Sequence, residues 1–523
     1  MKLAAFVPWL WVGLTAALLA TGASGGTVLA GAGEAGALPA ASIATLAGNT
    51  AWAGTLAGFV ALALGALPAL VAARLESRRR ARILLGFALI PVLVPPVCHA
   101  VVATRLTAPN GLLGGLGLSV QSVTGAGVVL GWAFAPIVTA VLYGAWRRCD
   151  PSVEEAALLE SRARTVLWRV VLPQASAAAA LSFVLVFLLT ASDLSVAETL
   201  RGVPLLVREI YVQFGVFYNT SGALRAGFML LVPCLILAGV VLQTTRLALG
   251  SREVSATTEA GPSSLAHRMR GLRTAGWIVG VSPALLLLGT LTYSLSGPEE
   301  SFLAGARLAW RLALPELVYT LTLACLTACT AIYLSIQIAI GISRSPFAPV
   351  LRLLLLGCFL VPAPLLGVAL KRMLLPAGDG AFNDLLASID ASPLPLVVAW
   401  LIRFVPPCAL LMEWALHRLP AEWREAATLE GAGFVGHVRV WGFHGLWQPA
   451  AAVGLLVFTL CFQETGSALL LVPPGTTTLG VRLLTLLHYA PGSQVSALCL
   501  LLCLPAILAM VLLVAFSARR PVT

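Results

Sequence analysis

Charge is what this sequence has least of. Asp, Glu, Lys and Arg make up 11% of its 523 residues, where a soluble globular protein carries about 25%. That shortfall excludes an ordinary soluble enzyme. Lysine is nearly absent: only Lys2 and Lys371 occur, and neither follows a GxxxxG stretch. A P-loop needs its lysine to reach the nucleotide phosphates. The chain is therefore not a P-loop ATPase, and any ATP energy it uses comes from another polypeptide. No CxxC pair occurs among the ten cysteines. Nine of them (Cys98, Cys234, Cys325, Cys329, Cys358, Cys408, Cys461, Cys499 and Cys503) lie in apolar blocks, and Cys149 lies in a basic loop. They read as small packing residues rather than a disulfide framework. No nucleophile–base pair and no catalytic carboxylate dyad stands out. His99, among Pro95, Pro96 and Cys98, has no second ligand at metal spacing, so no metal site is expected.

What is abundant is apolar sequence: 59% of residues are hydrophobic and the mean hydropathy is +0.94. This excludes intrinsic disorder, and the apolar residues come in blocks of the length a membrane helix needs, about 20 residues. Twelve spans are expected, at about 4–23, 50–73, 83–103, 125–145, 174–192, 223–246, 274–296, 318–342, 350–370, 395–416, 449–471 and 495–517. The first is read as an uncleaved span rather than a secretory signal, because the chain as a whole is polytopic. The net charge of +11 does not indicate nucleic acid, since the arginines cluster in short segments between apolar blocks, as membrane proteins distribute them. With the N-terminus inside, the inside segments hold 23 Lys and Arg and the outside segments nine, with Arg403 inside a span. That bias places both termini in the cytoplasm. The 24–49 segment, with no Lys or Arg, suits the outer side.

The chain repeats itself at an offset near 270. Glu155-Ala156-Ala157 recurs as Glu425-Ala426-Ala427, Thr50 as Thr320, and Leu185-Val186-Phe187 as Leu456-Val457-Phe458. Prolines recur at the centres of the third and ninth spans, Pro91, Pro95 and Pro96 against Pro362 and Pro364. Equal span numbers starting from the same side make the repeat parallel, with a pseudo-twofold axis along the membrane normal. The expected organisation is a first half at 1–247 (core about 45–247), a cytoplasmic linker at 248–273 containing Gly261-Pro262, and a second half at 274–523.

Two loops carry the strongest signal. In the first, Pro151 suits a first helical position and Ser152 with Glu155 fits a capping box, so a short cytoplasmic helix is expected to start there. The loop closes with Leu172-Pro173, where proline is expected to stop the helix before the next span. The second loop reads Glu425-Ala426-Ala427 followed by Gly431, a residue that lets the chain bend between two short helices. A single amphipathic loop helix is ordinary; its recurrence at the equivalent place is not.

On these residues the chain resembles the permease subunits of ATP-binding-cassette importers. Their signature is Glu-Ala-Ala, three residues, Gly, about nine residues, an aliphatic residue, any residue, then Leu-Pro. The second copy matches at Glu425, Ala426, Ala427 and Gly431 but has Phe443-His444 at the Leu-Pro position. The first copy has Glu155, Ala156, Ala157, Leu172 and Pro173, with Ser161 where Gly belongs, and is one residue short. The resemblance implies an all-α integral membrane protein of the type I importer permease fold in a bacterial inner membrane. It also implies that these loops are coupling helices docking into two cytoplasmic ATPase subunits. ATP and Mg would sit on those partners, with no cofactor on this chain, and an extracytoplasmic binding protein would deliver the solute. The partners so expected are these proteins and membrane lipid.

Two permease domains in one chain resemble the iron(III)-type importer permeases. Ser192-Asp193 and Gln463-Glu464 occupy the place of that group's acidic segment, and Asp193 and Glu464 align at an offset of 271. Related permeases move thiamine, phosphonates, polyamines or sulfate, so the solute class stays open. A carboxylate in a bilayer costs about 2.5–3.5 kcal/mol and usually faces a cavity or a partner. Asp193 and Glu464 are either interfacial and wet or, with Ser192 and Gln463, at the mouth of a pathway between the halves. Arg403 and Glu413, ten residues apart on one span, are too far apart for a helical pair; Glu413 is read as structural, near the cytoplasmic surface. The rival class is a secondary transporter of twelve spans, which would couple to an ion gradient and have no need of the paired loops.

Overall fold

The computed structural model describes residues 7–24, 40–149, 151–250, 270–295, 302–375, 380–417, 446–487 and 489–518. Every long regular element among them is helical, as the apolar blocks require: inside a bilayer a helix satisfies its own backbone. The N-terminal stretch runs α1 (Val7–Ser24), α2 (Ala40–Arg74), α3 (Arg78–Leu93), α4 (Pro96–Thr107), α5 (Val123–Trp146), α6 (Pro151–Glu160), α7 (Ala163–Gln174), α8 (Ser176–Ser192), α9 (Ser195–Thr199), α10 (Leu206–Gly215) and α11 (Thr220–Gly250). The C-terminal stretch runs α12 (Arg270–Leu295), α13 (Phe302–Arg344), α14 (Ala348–Leu360), α15 (Ala363–Leu374), α16 (Ala381–Asp390), α17 (Leu394–His417), α18 (Trp447–Gln463), α19 (Ala468–Leu471), α20 (Leu479–Leu486) and α21 (Gly492–Ala518).

Each of the twelve expected spans falls on a helix or a bent helix pair. Among the described residues six helices are long and apolar enough to cross a membrane, or up to nine if each of three bent pairs is one span. Val7–Ala17, Trp447–Gln463 and Gly492–Pro505 are shorter apolar helices. Length and composition thus carry six to nine crossings rather than twelve. The third and ninth expected spans are not straight. Arg78–Leu93 meets Pro96–Thr107 at 94°, and Ala348–Leu360 meets Ala363–Leu374 at 87°. Proline causes both turns: Pro95 and Pro362, neither of which can donate a backbone hydrogen bond, precede the second helix of each pair.

Two triads of helices form the core, α2, α5 and α8 in the N-terminal stretch and α13, α17 and α18 in the C-terminal one. Small residues let α2 and α5 approach closely. A Cβ on Gly131 would lie 2.7 Å from the Ala57 carbonyl oxygen, so only glycine fits there. The first helix of each stretch crosses to the other. Helix α1 packs on α13, α14 and α15, with Trp9 edge-on to Phe347 at 6.3 Å. Helix α12 packs on α2, α3 and α21, and its Trp277 lies against Val71, Ala72 and Leu84.

Thr50 and Thr320 were expected to open their spans, but both lie well inside helices that begin at Ala40 and Phe302. What they share is a bond. Leu206 N–H at the start of α10 donates to Thr50 Oγ1 at 3.0 Å, and Leu479 N–H at the start of α20 donates to Thr320 Oγ1 at 2.9 Å. Each threonine supplies an acceptor for a first-turn amide that its own helix leaves unpaired. Thr50→Val and Thr320→Val keep the shape and orphan a buried amide, so each is expected to destabilise by about 1–3 kcal/mol. Thermal unfolding of the full chain in detergent should show similar downward shifts; a shift in one variant alone would mean that the two contacts are not equivalent.

Candidate functional site

At the α2 C-terminus the first loop folds as two helices. Helix α6 starts at Pro151, so Ser152 sits inside the helix rather than capping it, and the cap position falls on Asp150, outside the described residues. Glu155 and Ala156 are exposed, Ala157 is half-buried, and Leu159 is 84% exposed. Ser161 stands at the break between α6 and α7, where the resemblance expects glycine. Leu172 is half-buried and Pro173 exposed. Proline does not end the helix as expected: α7 continues to Gln174 and the chain turns by 62° at Ala175. The opposite face of α6 is fixed by a buried ion pair between Glu154 and Arg74, which sequence reading missed. Its one sequence signal was a second glutamate beside the motif. Glu425, Ala426, Ala427 and Gly431 lie outside the described residues.

A second site lies where the two stretches meet. Ser192, Asp193, Gln463 and Glu464 all line one cavity of about 100 Å³, together with Arg403 and Phe404. Asp193 and Glu464 have nearly the same backbone, φ −85°, ψ 116° and φ −84°, ψ 111°. Both end a helix, α8 or α18, and both turn back to hold the next amide three residues on. Val196 N–H donates to Asp193 Oδ1 at 3.0 Å, and Ser467 N–H to Glu464 Oε1 at 3.0 Å. The hydroxyls of Ser195 and Ser467 donate to the same two carboxylates. Each acid thus holds a backbone amide at the entry to the short helix that follows. Gly466 packs closely beside this turn: a Cβ there would fall 3.1 Å from the Ala363 Cβ and 3.3 Å from Glu464 Oε1, so its neighbours would have to give by a few tenths of an ångström.

The two acids differ in what else they hold. Trp400 Nε1 donates to Glu464 Oε2 at 3.0 Å, and Arg403 NH1 lies 3.6 Å from Glu464 Oε1. Arg403, counted from sequence as a lone cation in a span, is therefore the counter-charge of Glu464. Glu413 pairs with Arg352 instead, at 2.6 Å. Gln463 Nε2 reaches across to the Val92 carbonyl at 2.9 Å, joining α18 to the bend after α3. Ser192 bonds locally to the Leu189 carbonyl at 3.1 Å. His99 is buried, 3.3 Å from the Pro95 carbonyl and edge-on to Trp132. Among the described residues no group of three or more His, Cys, Asp or Glu could hold a metal. The ten cysteines are free; seven are buried, while Cys325 and Cys329 are exposed.

Helices long and apolar enough to cross a membrane, set around a small polar cavity, define a multi-pass membrane protein. Residues 63–244 match the family described as binding-protein-dependent transport system inner membrane component. Over that segment the chain is similar to the inner-membrane permeases of binding-protein-dependent transport systems. It is similar to the putative ferric transport system permease protein FbpB 1 of Haemophilus influenzae, 26% identical over 388 residues, covering 68% of this chain and 59% of that one. It is also similar to the ferric transport system permease protein FbpB of Actinobacillus pleuropneumoniae, 24% identical over 396 residues, covering 68% of this chain and 54% of the relative. The match thus takes in less than two thirds of either relative's length. No solved structure matches the chain.

Proposed function

We propose that this chain is the translocation subunit of an ATP-driven importer for ferric iron, built from two permease halves at 1–247 and 274–523 around the cavity between them. The observation that carries the reading is the exposed Glu155-Ala156 face of α6, within a segment that matches the importer permease family. The names of the two relatives support iron as the solute. Both termini and the two Glu-Ala-Ala loops face the cytoplasm, where two separate ATPase subunits bind them. ATP and Mg belong to those subunits. An extracytoplasmic binding protein delivers solute at the opposite face.

In this reading nucleotide binding draws the ATPases together, and the loops carry the motion to the halves. The cavity lined by Ser192, Asp193, Gln463 and Glu464 is where access alternates. Its carboxylates already accept hydrogen bonds from their own chain, so they shape the passage and bias its charge without trapping a metal ion. The half-to-half contact of Gln463 with Val92 is one that has to change as the halves rock.

The test is assembly and turnover. The purified chain alone should not hydrolyse ATP; with its cognate ATPase it should form a complex containing two ATPase copies. Glu155→Lys and Glu425→Lys alter loop charge without touching a span, and each should lower ATPase association and ATP-driven uptake while membrane insertion persists. Glu155→Lys should be the milder, since its loop already departs from the pattern at Ser161. Normal uptake and ATPase binding in both variants would remove the loops from the interface.

A further inference from the structure

The N-terminal docking helix is not merely exposed at the end of the bundle; it is tied to it. Arg74 is the last residue of α2 and is 2% exposed, and Glu154 in the first turn of α6 is 0% exposed. The Arg74 guanidinium donates through NH2 to Glu154, and through NH1 to the Trp146 carbonyl at 2.9 Å. Trp146 is the last residue of α5, also buried, and its indole Nε1 donates to the Val171 carbonyl at 3.0 Å. Four elements, α2, α5, α6 and α7, therefore meet at one buried set of three side chains. The planar guanidinium bridges two partners at a fixed angle, which a lysine could not do. Leu158, one turn after Glu154, is buried on the same face, while Val153, Glu155 and Leu159 point away.

The repeat offset of 270 places Arg344 and Arg424 at the positions of Arg74 and Glu154. Two cations cannot form this pair, so the sequence does not repeat it at these two positions. Arg344 is exposed.

We infer that Arg74, Glu154 and Trp146 form a strut that makes α6 move as one piece with α2 and α5, so that the N-terminal loop passes ATPase motion into the membrane stiffly. This rests on the loops being the ATPase-docking elements. The strut residues touch no solute; they are positioning residues, and they act through the placement of α6.

Hydrogen exchange on the full chain in detergent tests the strut without its partners. Arg74→Gln should speed exchange of the 151–160 amides by about tenfold, through local opening of α6 with the rest of the chain unchanged. The charge-swapped pair Arg74→Glu with Glu154→Arg should restore part of the protection. In the assembled complex, vanadate trapping should change exchange in both α6 and the end of α2 for the parent chain, and in α6 alone for Arg74→Gln. Unchanged exchange in Arg74→Gln overturns the strut. If that variant does not insert, Trp146→Phe decides: it removes only the indole donor, and it should speed exchange across 163–174, whereas parental rates there overturn the proposal. Failure of the parent chain to bind any ATPase would instead overturn the docking assignment, and the exchange result on the chain alone would stand.

Discussion

Glu464→Ala is expected to be the most damaging single change in the central cavity. It leaves Arg403 without its counter-charge, Trp400 Nε1 without an acceptor and the Ser467 amide uncapped, in a site where Glu464 itself is buried. Removing one partner of a buried, hydrogen-bonded charge pair costs about 3–5 kcal/mol. The apparent Tm of the detergent-solubilised chain should fall by several degrees and, on the proposed function, uptake should be lost. Glu464→Gln keeps an oxygen for the Ser467 amide but turns a charge into a dipole beside Arg403, so it should insert and fold while uptake drops. Asp193→Asn, which leaves the Trp400 bond and the Arg403–Glu464 pair in place, should be milder. Parental stability and uptake in Glu464→Ala would mean that the cluster neither holds the cavity nor serves passage.

The second large effect is expected at Leu159. Its side chain is 84% exposed on a helix whose opposite face is buried. Surface changes away from buried features usually alter stability by about 0.5 kcal/mol or less, so Leu159→Glu should fold and insert as the parent does. An apolar anchor at a protein interface, by contrast, contributes about 2–4 kcal/mol, which converts to roughly 30- to 1,000-fold in affinity. Binding of the cognate ATPase to the variant, read by titration in detergent, should weaken by that factor. Affinity within twofold of the parent would show that this face is not where the ATPase sits.

Much of the architecture was legible because bilayer physics writes itself into composition. The twelve apolar blocks all fall on helices or bent pairs, and the repeated Asp193 and Glu464 share one cavity and one backbone shape. What sequence periodicity does not carry is direction. Pro95 and Pro362 announced a break but not that the chain would turn by about 90° there. Partners distant in sequence were equally hidden. Arg403 looked isolated because Glu464 follows some 60 residues later, and Arg74 looked like one more inside-facing arginine because Glu154 follows 80 residues later. Helix lengths were underread for α2 and α13, whose ends carry small or polar residues that a hydropathy window discounts. The placement of α1 and α12 could not be foreseen at all, since an apolar helix does not name the neighbour it will choose.

That exchange of first helices has a consequence for how the protein is made. Helix α1 leaves the ribosome well ahead of α13, α14 and α15, on which it packs and which begin about 300 residues later. At about 5–20 residues per second, this interval lasts roughly 15–60 s. The contact of α1 with α11 can form earlier, but the packing of α1 on α14 and α15 is completed only after the ninth expected span has been threaded. The N-terminal stretch, for its part, stays open along α2 and α3 until α12 closes over them. Neither stretch can reach its final packing before the other is well advanced, so cutting the chain between α11 and α12 and expressing the pieces at different times should strand both, while producing them together lets the two first helices find their places.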